Sequence, residues 1–321
     1  MFATRQVCRS PSCTVTTTSE VAMKGIAGAP VSFGVFELTA DQPLPEPEEI
    51  LAPLRDAGYD GIDLGPVGWL GRGEQLRQRL RTHGMALAGG WVDLPLTDDE
   101  AFAAALPGLD ETLEVFVAAA EADRDRLPLP TLADAGDEIR RANPGGGPGI
   151  GLDEAGWDRL TRNVATAADR VRRAGLEPTF HHHACTNVET PDEIDTFLAR
   201  TDVGLTLDTG HLIIGGGDPV DGWRRWSDRI NHLHLKDART DVLAQVVKER
   251  AGMRAVWERR AFVELGAGDL DVAGFMDAVV ADGFDGWCVV EQDVVPSPSD
   301  PPGKAADDQR ANREALRRWL P

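Results

Sequence analysis

The sequence predicts a single α/β domain, a (β/α)8 barrel. Three observations carry this. Short apolar runs alternate with amphipathic stretches eight times along 321 residues, the pattern of a chain that adds strand and helix in turn. No glycine fingerprint of the dinucleotide type links a strand to a helix, which places a doubly wound sheet second. Acids and histidines recur at the carboxyl end of several consecutive strands, and in a barrel all of those ends open on one mouth.

Residues 1–28 are rich in Ser, Thr and Ala, lack periodicity, and are expected to be a disordered extension ahead of a barrel at 29–321. Two early Arg precede no continuous apolar run, so no secretory signal is expected; Met23 is an alternative initiator. Val31-Ser32-Phe33-Gly34-Val35-Phe36 reads as the first strand. Ile50, Leu51 and Leu54 share one face of a helix over 47–58, closed by Gly58. Gly61-Ile62-Asp63-Leu64 is a second strand, followed by a Gly-rich loop holding Trp69 and a helix over 74–83. The third strand spans 85–92 and contains Trp91; acids at 98–100 then open a helix. A strand at 127–133 leads into a Gly/Pro loop at 143–151. Trp157, Leu160, Val164, Ala168 and Val171 recur at helical spacing up to Gly175.

The chemistry-bearing part of the chain follows. Pro178-Thr179-Phe180 runs into His181-His182-His183, and Thr190-Pro191-Asp192-Glu193 reads as a capping box. Val203-Gly204-Leu205-Thr206-Leu207 ends in Asp208-Thr209-Gly210-His211. After a helix carrying Trp223 and Trp226, Ile230-Asn231-His232-Leu233-His234-Leu235 ends in Lys236-Asp237. A charged helical excursion over 240–260 comes next, then Gly266-Ala267-Gly268, read as a tight turn. The last strand, 286–290, ends in Glu291-Gln292-Asp293, and a helix over 306–320 closes the chain.

Composition excludes several functions. With 53 acidic against 33 basic residues and a net charge of −20, nucleic acid is not an expected partner. No apolar run approaches the roughly 18 residues of a membrane span. Four cysteines in 321 residues give neither a disulfide framework nor a zinc finger and suit a reducing cytoplasm.

Asp208, His234 and Glu291 each end an apolar strand, where an uncompensated carboxylate is costly and a cation or basic partner is expected. Imidazole and carboxylate on rigid strand ends suit a divalent metal. Strand alternation turns His181 and His183 to one side and His182 to the other. His181 as ligand with His183 as proton carrier, or the reverse, both fit. His211 is a candidate for substrate or a second ion, and Lys236 for a substrate oxygen. Glu189 is placed between a catalytic and a helix-capping role, and His232 between the site and the barrel packing.

These residues resemble a known family. Asp208 to His211, His234-Leu235-Lys236-Asp237 and Glu291 resemble the xylose-isomerase-like TIM barrel superfamily of sugar isomerases and epimerases. Phe180 to His183, Val188-Glu189-Thr190, Gly217-Asp218-Pro219 and Val289 to Asp293 are closer to inosose (2-keto-myo-inositol) dehydratases. The resemblance runs from Val31 to the end. It implies a metal, Mn2+ or Co2+ first and Zn2+ or Mg2+ next, held by Asp208, His234 and Glu291, with His181 where the family usually has Glu. That departure disfavours two-base epimerisation and fits elimination of water from a cyclic keto-polyol. His183 or Glu291 would be the base, and a protonated His211 the acid. Lys236 would hold a substrate oxygen, while His182, Glu189, Trp69 and Trp91 would line the substrate site. A metal-dependent isomerase or epimerase and a non-catalytic sugar-binding barrel are the rivals; a homo-oligomer is compatible with either.

Overall fold

A computed structural model describes residues 23–35 and 37–320. The N-terminal 22 residues, with Cys8 and Cys13, and Phe36 lie outside the described residues. The strands are β1 Gly25–Gly28, β2 Gly61–Ile62, β3 Ala86–Leu87, β4 Gly89–Leu94, β5 Leu129–Asp134, β6 Thr179–His181, β7 Gly204–Asp208, β8 Ile230–Leu235, β9 Asp237–Ala238, β10 Phe262–Val263 and β11 Trp287–Val290.

Nine of these form one parallel sheet in the order β3-β2-β1-β11-β8-β7-β6-β5-β4. β3 and β4 are two halves of a single bent stave, interrupted only at Ala88. Ala88 donates to the Ile62 carbonyl and accepts from Leu129 N, so β2 is joined to β5 through it. Nine segments therefore make eight staves, and the sheet closes as a (β/α)8 barrel. β9 and β10 pair antiparallel and pinch off an excursion of two helices, Thr240–Glu249 and Gly252–Glu258.

The first stave differs from expectation. β1 lies at 25–28, inside the stretch expected as an extension, while Pro30–Phe33 is a 3-10 turn. Pro30 pre-sets its first position, and Gly34, at φ 81°, closes it in a conformation that L side chains rarely adopt. Many helix signals correspond to observed ends. Gly58 caps Pro47–Ala57 at φ 88°, and the Thr190/Glu193 capping box opens Pro191–Arg200.

Two cores result. A large one packs strands against the helical ring. A small one of Ala27, Ala29, Ala86, Ala88, Leu129, Trp287 and Val289 fills the barrel floor. Trp287 dictates glycine opposite it: a Cβ on Gly61 would lie 3.0 Å from the indole and 2.8 Å from the Ala86 carbonyl. Inward positions become polar above that floor, with Thr179 and Thr206 hydroxyls bonded at 2.8 Å. Cys185 and Cys288 are buried thiols. No helix among the described residues is long and apolar enough to cross a membrane.

Candidate metal and acid–base centre

Four neighbouring staves deliver the centre. His181 ends β6, Asp208 ends β7, His234 is the penultimate residue of β8, and Glu291 follows β11. Their register is fixed by backbone pairing, His181 with Thr206, Asp208 with His234 and Val289 with His234. His234 Nδ1 is the hub. It lies 3.1 Å from His181 Nε2, 3.3 Å from Glu291 Oε2 and 3.7 Å from Asp208 Oδ2. All four residues are buried or nearly so.

Lys236, fully buried, stands beside this group. Its Nζ is 2.7 Å from Asp293, 2.9 Å from Glu291 and 3.2 Å from Asp208. Burial alone would lower its pKa, but Asp208, Asp293 and Glu291 outweigh that and hold it well above the usual lysine value. Burial likewise opposes charge on His234, yet Glu291 and Asp208 push it up to about 10. The same neighbours act in reverse on the carboxylates: burial raises Glu291 and Asp208, while His234 and Lys236 for the first and Lys236 and His211 for the second bring both below the ordinary range. The centre thus draws positive charge to one point.

The donor set fits a divalent ion. Two imidazole nitrogens and two carboxylate oxygens converge, the mixed N/O chemistry suited to Mn2+, Co2+ or Zn2+. Asp208 Oδ2 and His234 Nε2 are buried and lack a hydrogen bond of good geometry, although the Lys236 ammonium lies near the former. His181, Asp208 and His234 form one group with ligand atoms within 4.8 Å of one another; Asp63, His234 and Glu291 form a second, and His183, His211 and Asp293 a third.

The expected site residues separate. His183 is half-buried at the mouth, its ring 3.6 Å from that of His211 and 4.8 Å from Trp91. Its Nδ1 lies 2.7 Å from the Ala184 carbonyl, so Nδ1 carries the proton and Nε2 keeps a lone pair. His211 sits on the short helix Thr209–Ile214, with Lys236 Nζ 3.0 Å from its Nε2. Burial, His183 and Lys236 together hold His211 well below its usual pKa. A cationic Lys236 makes Nε2 an acceptor, an arrangement that suits a neutral imidazole, where the resemblance implies a protonated one. Trp91 is 40 % exposed, facing the mouth against His181 and His183.

Three expected substrate contacts are placed elsewhere. His182 is wholly buried and its Nε2 accepts the Asp208 backbone N–H, because alternation turns it away from His181. Trp69 is half-buried, with its indole N–H on the Pro45 carbonyl at 2.8 Å. Glu189 is also buried; it accepts from Gly145 N at 2.7 Å and faces Arg140 at 3.6 Å, pinning the 143–151 loop. His232 is packed below His234 with neither nitrogen bonded. Sequence reasoning passed over Asp63 and Asp293. Asp63 follows a strand of only two residues, a weak signal, whereas Asp293 lies two residues beyond Glu291, where the signal is legible.

Glu189 gives a test of that pinning. Burial pushes it up to about 7, above its unfolded value, so the folded chain holds the proton longer. Stability is then full below about pH 4.5 and is lost as pH rises toward 7, by at most about 3 kcal/mol at 1.36 kcal/mol per unit. The stability difference between Glu189→Gln and wild type is expected to move in favour of the variant from pH 5 to pH 8, measured by urea unfolding. A pH-independent difference would remove Glu189 as a titrating buried acid.

The family model of the xylose isomerase-like TIM barrel matches residues 51–319. The chain belongs to that family. Among curated relatives, an inosose dehydratase of Lacticaseibacillus casei is 35% identical over 148 residues, 45% of this chain and 50% of that one; the match spans only about half of that relative. The rhizopine catabolism protein MocC of Rhizobium meliloti is 34% identical over 273 residues, covering 83% of this chain and 80% of its own. The D-psicose 3-epimerase structure from Clostridium cellulolyticum H10 superposes with TM-score 0.65 at 14% identity, over 92% of this chain and 99% of that one, a likeness of fold alone.

Proposed function

We propose that the chain is a metal-dependent lyase that removes water from a cyclic keto-polyol such as 2-keto-myo-inositol. The observation that carries this reading is the composition of the cluster. Asp208, His234 and Glu291 converge with an imidazole, His181, and not with a second glutamate. A second glutamate to act as the partner base of Glu291 is therefore lacking among these four, while a separate histidine and a lysine stand at hand. The inosose dehydratase relative supports the substrate class.

When bound by His181, Asp208, His234 and Glu291, a divalent ion would supply Lewis acidity toward a ketone oxygen. His183 Nε2, unprotonated and at the mouth, takes the proton beside the ketone. The electron pair of that C–H bond forms the C=C bond as the β C–O bond breaks. Lys236, kept cationic by three carboxylates, gives its proton to the departing hydroxide, since ammonium is far more acidic than water at about 15.7. His211, 3.0 Å from Lys236 and with its ring tilted against that of His183, accepts from the lysine and holds it beside the base. Trp91 offers an apolar face for the ring.

The test combines metal analysis and turnover. Wild type should hold about one divalent ion per chain, lost in His181→Ala, and should produce enone or diketone absorbance from 2-keto-myo-inositol. A variant that keeps the metal would remove His181 from the ligand set. Stereochemical inversion with no loss of water would favour the epimerase reading, in which Glu291 serves as one base.

A further inference from the structure

Asp63 follows β2 directly, on the opposite side of the barrel from β7, and no role falls to it in the reaction above. Its backbone is fixed from two sides: Asp63 N donates to Gly28 O at 2.9 Å, and Leu64 N to Gly89 O at 3.0 Å. The side chain is buried and Oδ1 has no hydrogen-bond partner. Its Oδ2 lies 4.0 Å from His234 Nε2, and that nitrogen also lacks a partner. Gly89 leaves the space in which the carboxylate sits, since a Cβ there would be 3.2 Å from Asp63 Oδ1 and 3.1 Å from His232 Nε2.

The two ring nitrogens of His234 thus face different things. Nδ1 faces His181 Nε2, Asp208 Oδ2 and Glu291 Oε2; Nε2 faces Asp63 Oδ2 at 4.0 Å. If Nδ1 is a ligand, the ring proton must reside on Nε2, where it points at Asp63. A carboxylate behind a ligating histidine fixes both its tautomer and its ring orientation.

We propose that Asp63 is a positioning residue: it holds His234 in the tautomer and rotation that present Nδ1 to the metal. The inference rests on the metal reading of the preceding section. Asp63 makes no bond to the ion itself, so its removal weakens binding without changing the ligand set.

The probe is Co2+, added to metal-free wild type, Asp63→Ala and Asp63→Asn, with affinity from competition against a chelator and the ligand field from visible absorption. Asp63→Ala should still bind one Co2+ per chain with the wild-type band positions, at an affinity lower by about 10- to 100-fold. Asp63→Asn, whose amide oxygen can still accept from Nε2, should fall between. Wild-type affinity in both variants overturns the proposal while leaving the metal reading intact. Loss of the Co2+ band pattern in Asp63→Ala would make Asp63 a ligand and overturn it as well. Wild type that takes up no Co2+ defeats the metal reading and this inference together. If Asp63→Ala does not fold, the Asp63→Asn comparison decides alone, with tighter or unchanged binding counting against the proposal.

Discussion

Asp208→Ala is expected to lose turnover of a cyclic keto-polyol by about 10³-fold or more, the scale of removing a principal electrostatic element from an active site. The size follows from how many groups converge on one carboxylate. Oδ2 lies 3.2 Å from Lys236 Nζ, 3.5 Å from His181 Nε2 and 3.7 Å from His234 Nδ1. Oδ1 has a different task, accepting from His211 N at 2.8 Å and so capping the helix Thr209–Ile214. Alanine removes both functions, and loss of the cap alone costs about 1 kcal/mol. Asparagine separates them. Asp208→Asn keeps a capping oxygen but not the charge, so it should melt closer to wild type than Asp208→Ala while being nearly as inactive and equally poor in metal. Turnover, bound metal and melting temperature on the three proteins give the comparison. Substantial activity in Asp208→Asn would show that the charge at this strand end is dispensable, and the proposed centre would not stand.

The part of this centre that was legible in the sequence is the part where an ionisable residue interrupts a long apolar run. Asp208 at the end of Gly204–Asp208 and His234 within Ile230–Leu235 belong to staves of five and six residues. Burial on both faces of such staves makes a charged inward residue conspicuous. Asp63 follows a stave of two residues, so the acid read as part of the strand and not as its end. β1 was missed for a related reason. Gly25-Ile26-Ala27-Gly28 has one large apolar side chain, and its glycines answer to tertiary contacts: a Cβ on Gly28 would lie 2.5 Å from a Leu54 methyl. Val31 to Phe36 has the better strand composition, but Pro30 and Gly34 impose a turn, a case of local backbone constraint overriding propensity. The protonation of His211 could not be read from a sequence at all. It depends on Lys236, 25 positions away, whose ammonium points at its Nε2.

Lys236→Met should be the most destabilising single change at the centre in metal-free protein, and the one a divalent ion repairs best. The lysine backbone is locked by Thr209, whose hydroxyl donates to Lys236 O at 2.7 Å and accepts from Lys236 N at 2.9 Å. Its stem lies over Gly210, where a Cβ would come within 2.6 Å of Lys236 Cγ, and methionine can occupy that channel without a charge. The ammonium is what cannot be replaced. Without it, Asp208, Glu291 and Asp293 face one another in a buried site, and breaking a buried ion pair by deleting one partner costs about 3–5 kcal/mol. At about 2–4 °C per kcal/mol, the melting temperature should fall on the order of 10 °C. A divalent ion bound beside the same carboxylates restores positive charge where it was removed, so Mn2+ or Co2+ should raise the melting temperature of Lys236→Met more than that of wild type. Binding to the folded state alone stabilises by mass action, and the variant starts with more unbalanced negative charge to gain from it. Equal shifts in the two proteins would mean that Lys236 and the ion do not share the same field. A variant that melts like wild type without metal would mean that the three carboxylates already share protons, and that the lysine serves the reaction and not the fold.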